Sequence, residues 1–386
     1  MRPSRLAASA AVPLLLAGGL TACGAGAAEP TEVVIGADLD LGSTVDAAYL
    51  RGLQLRVDQV NASGRLPGLR LVLRVADNQV NPAVSLHNIR SLAADPSVAA
   101  IVTGRNAEFT IGAARVIEQQ RVPVLALTPA SEVVTPVSER TWVFKLGPNP
   151  ADTAAVLATE LRGARIKSAG IVYADDDYGR GVRAALDPAL AKADIDVTSA
   201  QPVSPTATDP TRTVKAVVSD RPKALILATD PDQALAAAGA ARDARFTGRF
   251  FLDAGAAGDL FLPPGSVAAM NNASLVFTEC LAVDDVIATT PARSARQQWF
   301  QDYTSRYGGY SGVAAFAADA VDLIASGLAG SVSRAHVRDV IETAQLDGLS
   351  GVIEFSRADH SGSMAQSLTL LVARGGRWRL AASPLG

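Results

Sequence analysis

Histidine and cysteine are nearly missing from this chain: three of one and two of the other in 386 residues. Two cysteines cannot build a disulfide framework. His87, His336 and His360 lack metal-ligand spacing, so each reads as structural or exposed, and no metal or cofactor is expected. Lysine is scarce as well, 5 against 30 arginines. The total of 35 basic against 38 acidic side chains leaves no basic surplus, which argues against a nucleic-acid partner. There is no G-x-S-x-G nucleophile elbow and no G-x-x-x-x-G-K phosphate loop. Gly179-Arg180-Gly181-Val182-Arg183-Ala184 fits the dinucleotide pattern G-x-G-x-x-A. However, Ala174 to Tyr178 separate it from the preceding strand, and three carboxylates there would repel a pyrophosphate. An α/β enzyme is therefore the distant alternative, and the chain is read as a non-enzyme.

What is present is a leader and a long folded body. Arg2 and Arg5 precede an apolar run over 6–20, too short to span a bilayer. The run ends in Leu20-Thr21-Ala22-Cys23, which resembles a bacterial lipobox: residues 1–22 would be a signal peptide and Cys23 the lipidated residue. Residues 23–31 would then be a tether holding an anchored, extracytoplasmic, non-spanning protein at the membrane. Cleavage removes Arg2 and Arg5 and leaves Cys280 as the one free thiol. It lies in an apolar run and reads as buried and inert. The body is 48% hydrophobic and 19% charged over the whole chain, outside the disordered range and long enough for two domains.

Its periodicity is that of an α/β fold. Val33-Val34-Ile35-Gly36-Ala37 is a continuous apolar run of the kind covered on both faces. Helical spacing over 45–60, 81–94 and 107–119 alternates with strands at 71–75, 98–102 and 122–127. After Gly147-Pro148-Asn149-Pro150 the pattern restarts, with strands at 168–173, 194–199, 224–228 and 250–252 and helices between them. Two doubly wound parallel-sheet lobes are the simplest solution. Helices at 292–307, 314–328 and 333–344 and strands at 352–355 and 368–373 make too little for a third domain. They should return to the two lobes.

The order and spacing of several stretches carry a resemblance. They are 36–64, Val102-Thr103-Gly104, 123–131, Val172-Tyr173-Ala174-Asp175-Asp176-Asp177-Tyr178-Gly179, Phe251-Leu252-Asp253-Ala254-Gly255 and Asp319-Ala320. Together the mature chain resembles the type I periplasmic solute-binding proteins, the leucine/isoleucine/valine-binding family of ABC importers. The resemblance implies two lobes joined by three crossings, near 147–151, 279–284 and 348–355. It implies an N-terminal lobe of 32–148 plus 283–350, a C-terminal lobe of 149–282 plus 351–386, and a monomer. The solute would be a branched-chain amino acid or a related amino acid or amide, passed to permease and ATPase subunits; a ligand-sensing receptor of the same fold is the alternative.

In open parallel sheets ligands meet the carboxyl ends of strands and the helix N-termini beyond them. That rule places Asp38 to Asp40, Gly104-Arg105-Asn106 and Thr128-Pro129-Ala130-Ser131 on one rim, and Asp175 to Tyr178, Thr229-Asp230 and Asp253-Ala254 on the other. The candidate ligand residues are Asn106, Thr128, Ala130, Ser131, Tyr178, Asp230 and Asp253. Thr128 and Ser131 suit a polar acceptor, Asp230 or Asp253 an ammonium group, and Tyr178 an aromatic wall; Asp230 before Pro231 reads equally as a helix N-cap. The sequence departs from the family at Val45, where an aromatic is usual, and at Ala254, which replaces the ammonium-binding glutamate. No serine falls at 107–109.

Overall fold

The first sheet takes its shape from five short apolar runs: β1 (Thr31–Leu39), β2 (Leu69–Asp77), β3 (Val98–Thr103), β4 (Val124–Ala126) and β5 (Val143–Lys145). This computed structural model describes residues 29–381, so the leader, Cys23 and the last five residues lie outside the described part. The strands pair in the order β2-β1-β3-β4-β5, all parallel. Helices α1 (Thr44–Ser63), α2 (Pro82–Ala94) and α3 (Ala107–Gln120) make the crossovers. Their starts are written locally: Ser43 caps α1 and Asn81 caps α2 with Pro82 at its first turn. Gly64 ends α1 at φ 66°, a left-handed conformation that favours glycine.

The second sheet repeats the scheme after α4 (Pro150–Gly163). It runs β6 (Ser168–Ala174), α5 (Asp177–Lys192), β7 (Asp196–Val203), α6 (Thr211–Ser219), β8 (Ala224–Ala228), α7 (Pro231–Asp243), β9 (Arg249–Leu252), α8 (Val267–Met270) and β10 (Ser274–Thr278). Strand order is β7-β6-β8-β9-β10, parallel, the same pattern as in the first sheet. Each sheet therefore reverses direction once, between β1 and β3 and between β6 and β8. The loops that leave those strands mark the two places where a doubly wound fold opens a crevice.

The last third completes both lobes, as the sequence implies. Helices α9 (Pro291–Tyr307), α10 (Ala314–Leu328) and α11 (Arg334–Glu342) precede a two-stranded pair, β11 (Gln345–Asp347) and β12 (Val352–Glu354). Helix α10 is apolar nearly all round and almost wholly buried, as expected of a helix packed on every side. It lies against α1, and Gly52 permits the approach: a Cβ there would stand 2.4 Å from the Ala314 carbonyl oxygen. The second sheet is not purely parallel. Strands β13 (Leu368–Arg374) and β14 (Arg377–Leu380) add to β10 antiparallel. The chain turns between them at Gly375 and Gly376, both at positive φ, and a tight hairpin of that kind joins antiparallel strands.

Three crossings connect the lobes, and buried polar groups tie them together. At the first, the Lys145 N–H donates to the His360 carbonyl (2.8 Å) and the Gly362 N–H to the Lys145 carbonyl (2.8 Å), joining the first crossing to the third. Lys145 Nζ donates to the Gly147 carbonyl at 2.6 Å, and burial pushes its pKa down to about 7. His360, fully buried, stacks on Phe144 and lies 2.9 Å from the Val143 carbonyl through Nδ1, so it is structural. Arg296 joins the second crossing to the third: it donates to Glu279 (2.7 Å), to the Gly348 carbonyl (2.9 Å) and to Asp347. From α10, Asp319 accepts from the N–H groups of Leu349 and Ser350 (both 2.7 Å) and from the Ser350 hydroxyl (2.6 Å). Cys280 is 1% exposed, and burial raises its thiol to about 12, in keeping with an inert residue.

Candidate functional site

Between the two crevices lies a cavity of about 330 Å³, a volume suited to a small organic solute. The first lobe contributes Val45 and Tyr49 from α1, Arg105 to Phe109 from the start of α3, and Leu127 and Pro129 after β4. The second contributes Asp175 to Tyr178 at the start of α5, Pro205 and Thr206, and Ala254, Gly255 and Ala257 after β9. Gly147 and Pro148 of the first crossing, with Phe277, Val313 and Phe316, close its inner end.

The rim loops are held by buried carboxylates rather than offering them to a ligand. Asp38 is 1% exposed and accepts from Ser85 Oγ (2.6 Å) and Asn88 Nδ2 (2.9 Å). Asp46, fully buried, accepts from the N–H groups of Asp40 (2.9 Å) and Arg105 (3.0 Å) and so ties the loop after β1 to the loop after β3. Burial raises Asp46 to about 6, against the pull of those two bonds. Gly104 has to be glycine for the same reason: a Cβ would lie 2.0 Å from Asp46 Oδ2.

Of the seven ligand residues expected from the sequence, Asn106 and Tyr178 line the cavity and five do not. Thr128 is fully buried, its hydroxyl accepting from the Ala130 N–H at 3.3 Å. Ala130 is buried with it, and Ser131 opens the short 3-10 turn Ser131–Val134. Asp253 is 1% exposed and its carboxylate is used up, accepting from Tyr178 Oη, Thr153 Oγ1 (2.6 Å) and the Gly255 N–H (3.2 Å). It positions Tyr178, whose oxygen also accepts from the Gly255 N–H at 3.0 Å. Asp230 caps α7 through the Gln233 N–H (2.8 Å), the N-cap reading of Asp230-Pro231. Its second oxygen stands 3.8 Å from the Arg105 guanidinium of the other lobe.

That pair and a hydrogen bond from Thr44 Oγ1 to Asp232 Oδ2 (3.0 Å) bridge the lobes across the cleft mouth. The conformation is a closed one. Asp175, Asp176 and Asp177 are tied to the first turn of α5. Asp176 caps α5 through the Gly179 N–H (2.8 Å), while Arg180 pairs with Asp175 (3.0 Å) and Asp177 (2.8 Å).

Tyr49, Glu108, Phe109, Phe277 and Phe316 also line the cavity, though little in the sequence marks them for it. Tyr49 stands one helical turn after Val45 on the same face of α1, a spacing that gives its direction. Its hydroxyl donates to the Leu127 carbonyl at 2.8 Å. Glu108 sits in the first turn of α3, where an acidic residue reads only as complementing the helix dipole. Partial burial raises its pKa, with Asp176 and Asp177 of the facing lobe adding to the effect. Phe277 and Phe316 come from distant segments and meet only in the folded protein, their rings 5.6 Å apart.

Comparison with known proteins agrees with this geometry. The sequence profile described as periplasmic binding protein matches residues 37–377. A search of curated protein sequences finds no match. Among solved structures, an extracellular ligand-binding receptor from Rhodopseudomonas palustris HaA2 superposes with a TM-score of 0.82 at 17% identity, over 91% of this chain and 100% of its own. An ABC transporter substrate-binding protein from Desulfitobacterium hafniense in complex with Leu gives 0.73 at 20% identity, covering 91% and 100%. The leucine-binding protein LivK from Thermotoga maritima MSB8 gives 0.76 at 16% identity, covering 91% and 98%. By its sequence over residues 37–377 and by its two-lobed fold, the chain belongs to the periplasmic binding protein family.

Proposed function

We propose that this protein is the extracytoplasmic solute-binding component of an ABC importer, capturing a small solute of amino-acid or amide size between its lobes. The observation that carries the reading is the cavity at the facing crevices, lined from both lobes and bridged at its mouth by Arg105–Asp230 and Thr44–Asp232. A solute touching both walls favours the closed arrangement over the open one, which is the only way binding can drive closure. The proposed lobes are 32–148 with 283–350 and 149–282 with 351–386. The proposed partners are a permease and an ATPase, met by a monomer. The closed cleft supports capture without specifying import, so a receptor that reports the solute to a sensor is the second reading. The neighbouring genes divide the two: permease and ATPase genes for import, a sensor kinase for signalling.

No helix among the described residues is long and apolar enough to cross a membrane. Attachment is proposed to run through a lipid on Cys23, the residue that ends the apolar leader. Cys23→Ser is expected to move the protein from the membrane fraction to the soluble one in cell fractionation. Retention in the membrane would refute the anchor. For capture, thermal unfolding of residues 29–386 should shift upward with at least one small solute. A ligand at 100 times its Kd adds about 2.7 kcal/mol, worth a few degrees.

A further inference from the structure

The charges around the cavity do not cancel. Arg180 is taken by Asp175 and Asp177, and Arg105 by Asp230 across the cleft. That leaves Glu108 from the first lobe and Asp176 from the second. Neither has an ion-pair partner within 4.0 Å among the described residues, and only one oxygen of Asp176 is used, in capping α5. Closing the lobes brings these two carboxylates toward one another; Arg105 and Arg180, each already paired with another acid, act on them from beyond ion-pair distance, and a positive charge placed between them would relieve the remaining repulsion. Apart from these charged groups and from Asn106 and Thr206, the lining is apolar, with five aromatic rings, those of Tyr49, Phe109, Tyr178, Phe277 and Phe316, whose faces attract cations.

Resting on the capture reading, we propose that the solute is a net cation, an amine or quaternary ammonium on a compact apolar body. Its positive group lies between Glu108 and Asp176 and its body lies against the aromatic rings. The ligand turns the repulsion between the two carboxylates into attraction in the closed state alone, which supplies the differential affinity that closure requires. A zwitterionic amino acid fits less well, because a carboxylate on so compact a solute is carried toward the same acids, Glu108, Asp175, Asp176 and Asp177, that line the cavity.

The experiment is a calorimetric titration of residues 29–386 with two skeletons, 3-methylbutyl and 2-phenylethyl. Each is offered as the amine, the alcohol and the matching carboxylate, with leucine and phenylalanine as the zwitterions. The amine of at least one skeleton should bind ten-fold or more tightly than its alcohol. Glu108→Gln, and separately Asp176→Asn, which keeps the helix cap, should each erase most of that preference. An alcohol, carboxylate or amino acid that binds as tightly as the amine overturns the cation and leaves capture standing. So does an amine preference that survives both substitutions. If none of the eight binds, the cation proposal falls, and capture is then judged separately by thermal unfolding against sugars, nucleosides and amides.

Discussion

Replacing Tyr178 with alanine should weaken solute binding by about 1–3 kcal/mol, roughly five- to 150-fold, the value of a buried aromatic contact. The ring forms part of the cavity wall yet is only 7% exposed, and it packs into the core around α5. Truncation should therefore also lower stability, by about 3 kcal/mol, the usual cost of emptying an aromatic site in a packed interior. It also takes away one of the groups that satisfy the Asp253 carboxylate. Tyr178→Phe separates the effects, keeping the ring and losing only the hydroxyl. Its affinity should stay within a few-fold of the parent protein. Titrations run well below the lowered midpoint would measure both variants. An unchanged Kd for Tyr178→Ala would remove the residue from the site.

Asp319→Ala should be the most damaging substitution outside the cavity. Three donors from the third crossing lose their acceptor in a buried place, and each such orphan costs about 1–3 kcal/mol, so a total loss of about 3 kcal/mol or more is expected. The pH dependence follows from burial, which raises this carboxyl from 3.8 to about 7, with the three hydrogen bonds opposing the shift. Between those values the folded chain holds the proton more tightly than the unfolded one. The contribution to stability is thus full below about pH 4 and is lost as pH rises through about 7. Asp319→Asn cannot titrate. Its deficit relative to the parent should be largest at about pH 4 and shrink as the pH rises to about 7 in denaturant unfolding. A deficit that grows with pH would show that the three donors stabilise the anion more than burial penalises it.

The fold was legible because its signals are local. Continuous apolar runs mark strands covered on both faces, and caps such as Asn81-Pro82 and Asp230-Pro231 mark helix starts. The unread elements have local reasons too. Helix α4 begins at Asn149-Pro150, the same kind of start, in a stretch that reads as a linker because of its two prolines. Strands β5, β11 and β14 are three or four residues long, too short for a period to emerge, and β14 is placed by its pairing with β13. The antiparallel edge of the second sheet depends on where the chain re-enters after its third crossing, which is a tertiary fact.

The candidate cavity is legible only in part, for a related reason. The rule of strand ends and helix starts found both rims, and with them Asn106 and Tyr178. It did not decide which rim side chains face the cavity and which face inward to hold the loops. Asp38, Thr128 and Asp253 face inward because partners from other segments take up their polar atoms: Ser85 and Asn88 for Asp38, the Ala130 N–H for Thr128, Thr153 and Tyr178 for Asp253. Glu108, overlooked because a helix start explains it, faces the acids of the other lobe.

Capture requires that solute occupies the cavity between the lobes. The most direct test takes a solute that raises the unfolding midpoint and titrates it into the parent protein and into Ala254→Trp. Ala254 lines the cavity, and an indole there takes up a large share of its 330 Å³. The parent should bind one solute per chain, and the filled variant, still unfolding cooperatively, should bind none. Equal affinity in the two would place the solute elsewhere and contradict capture between the lobes.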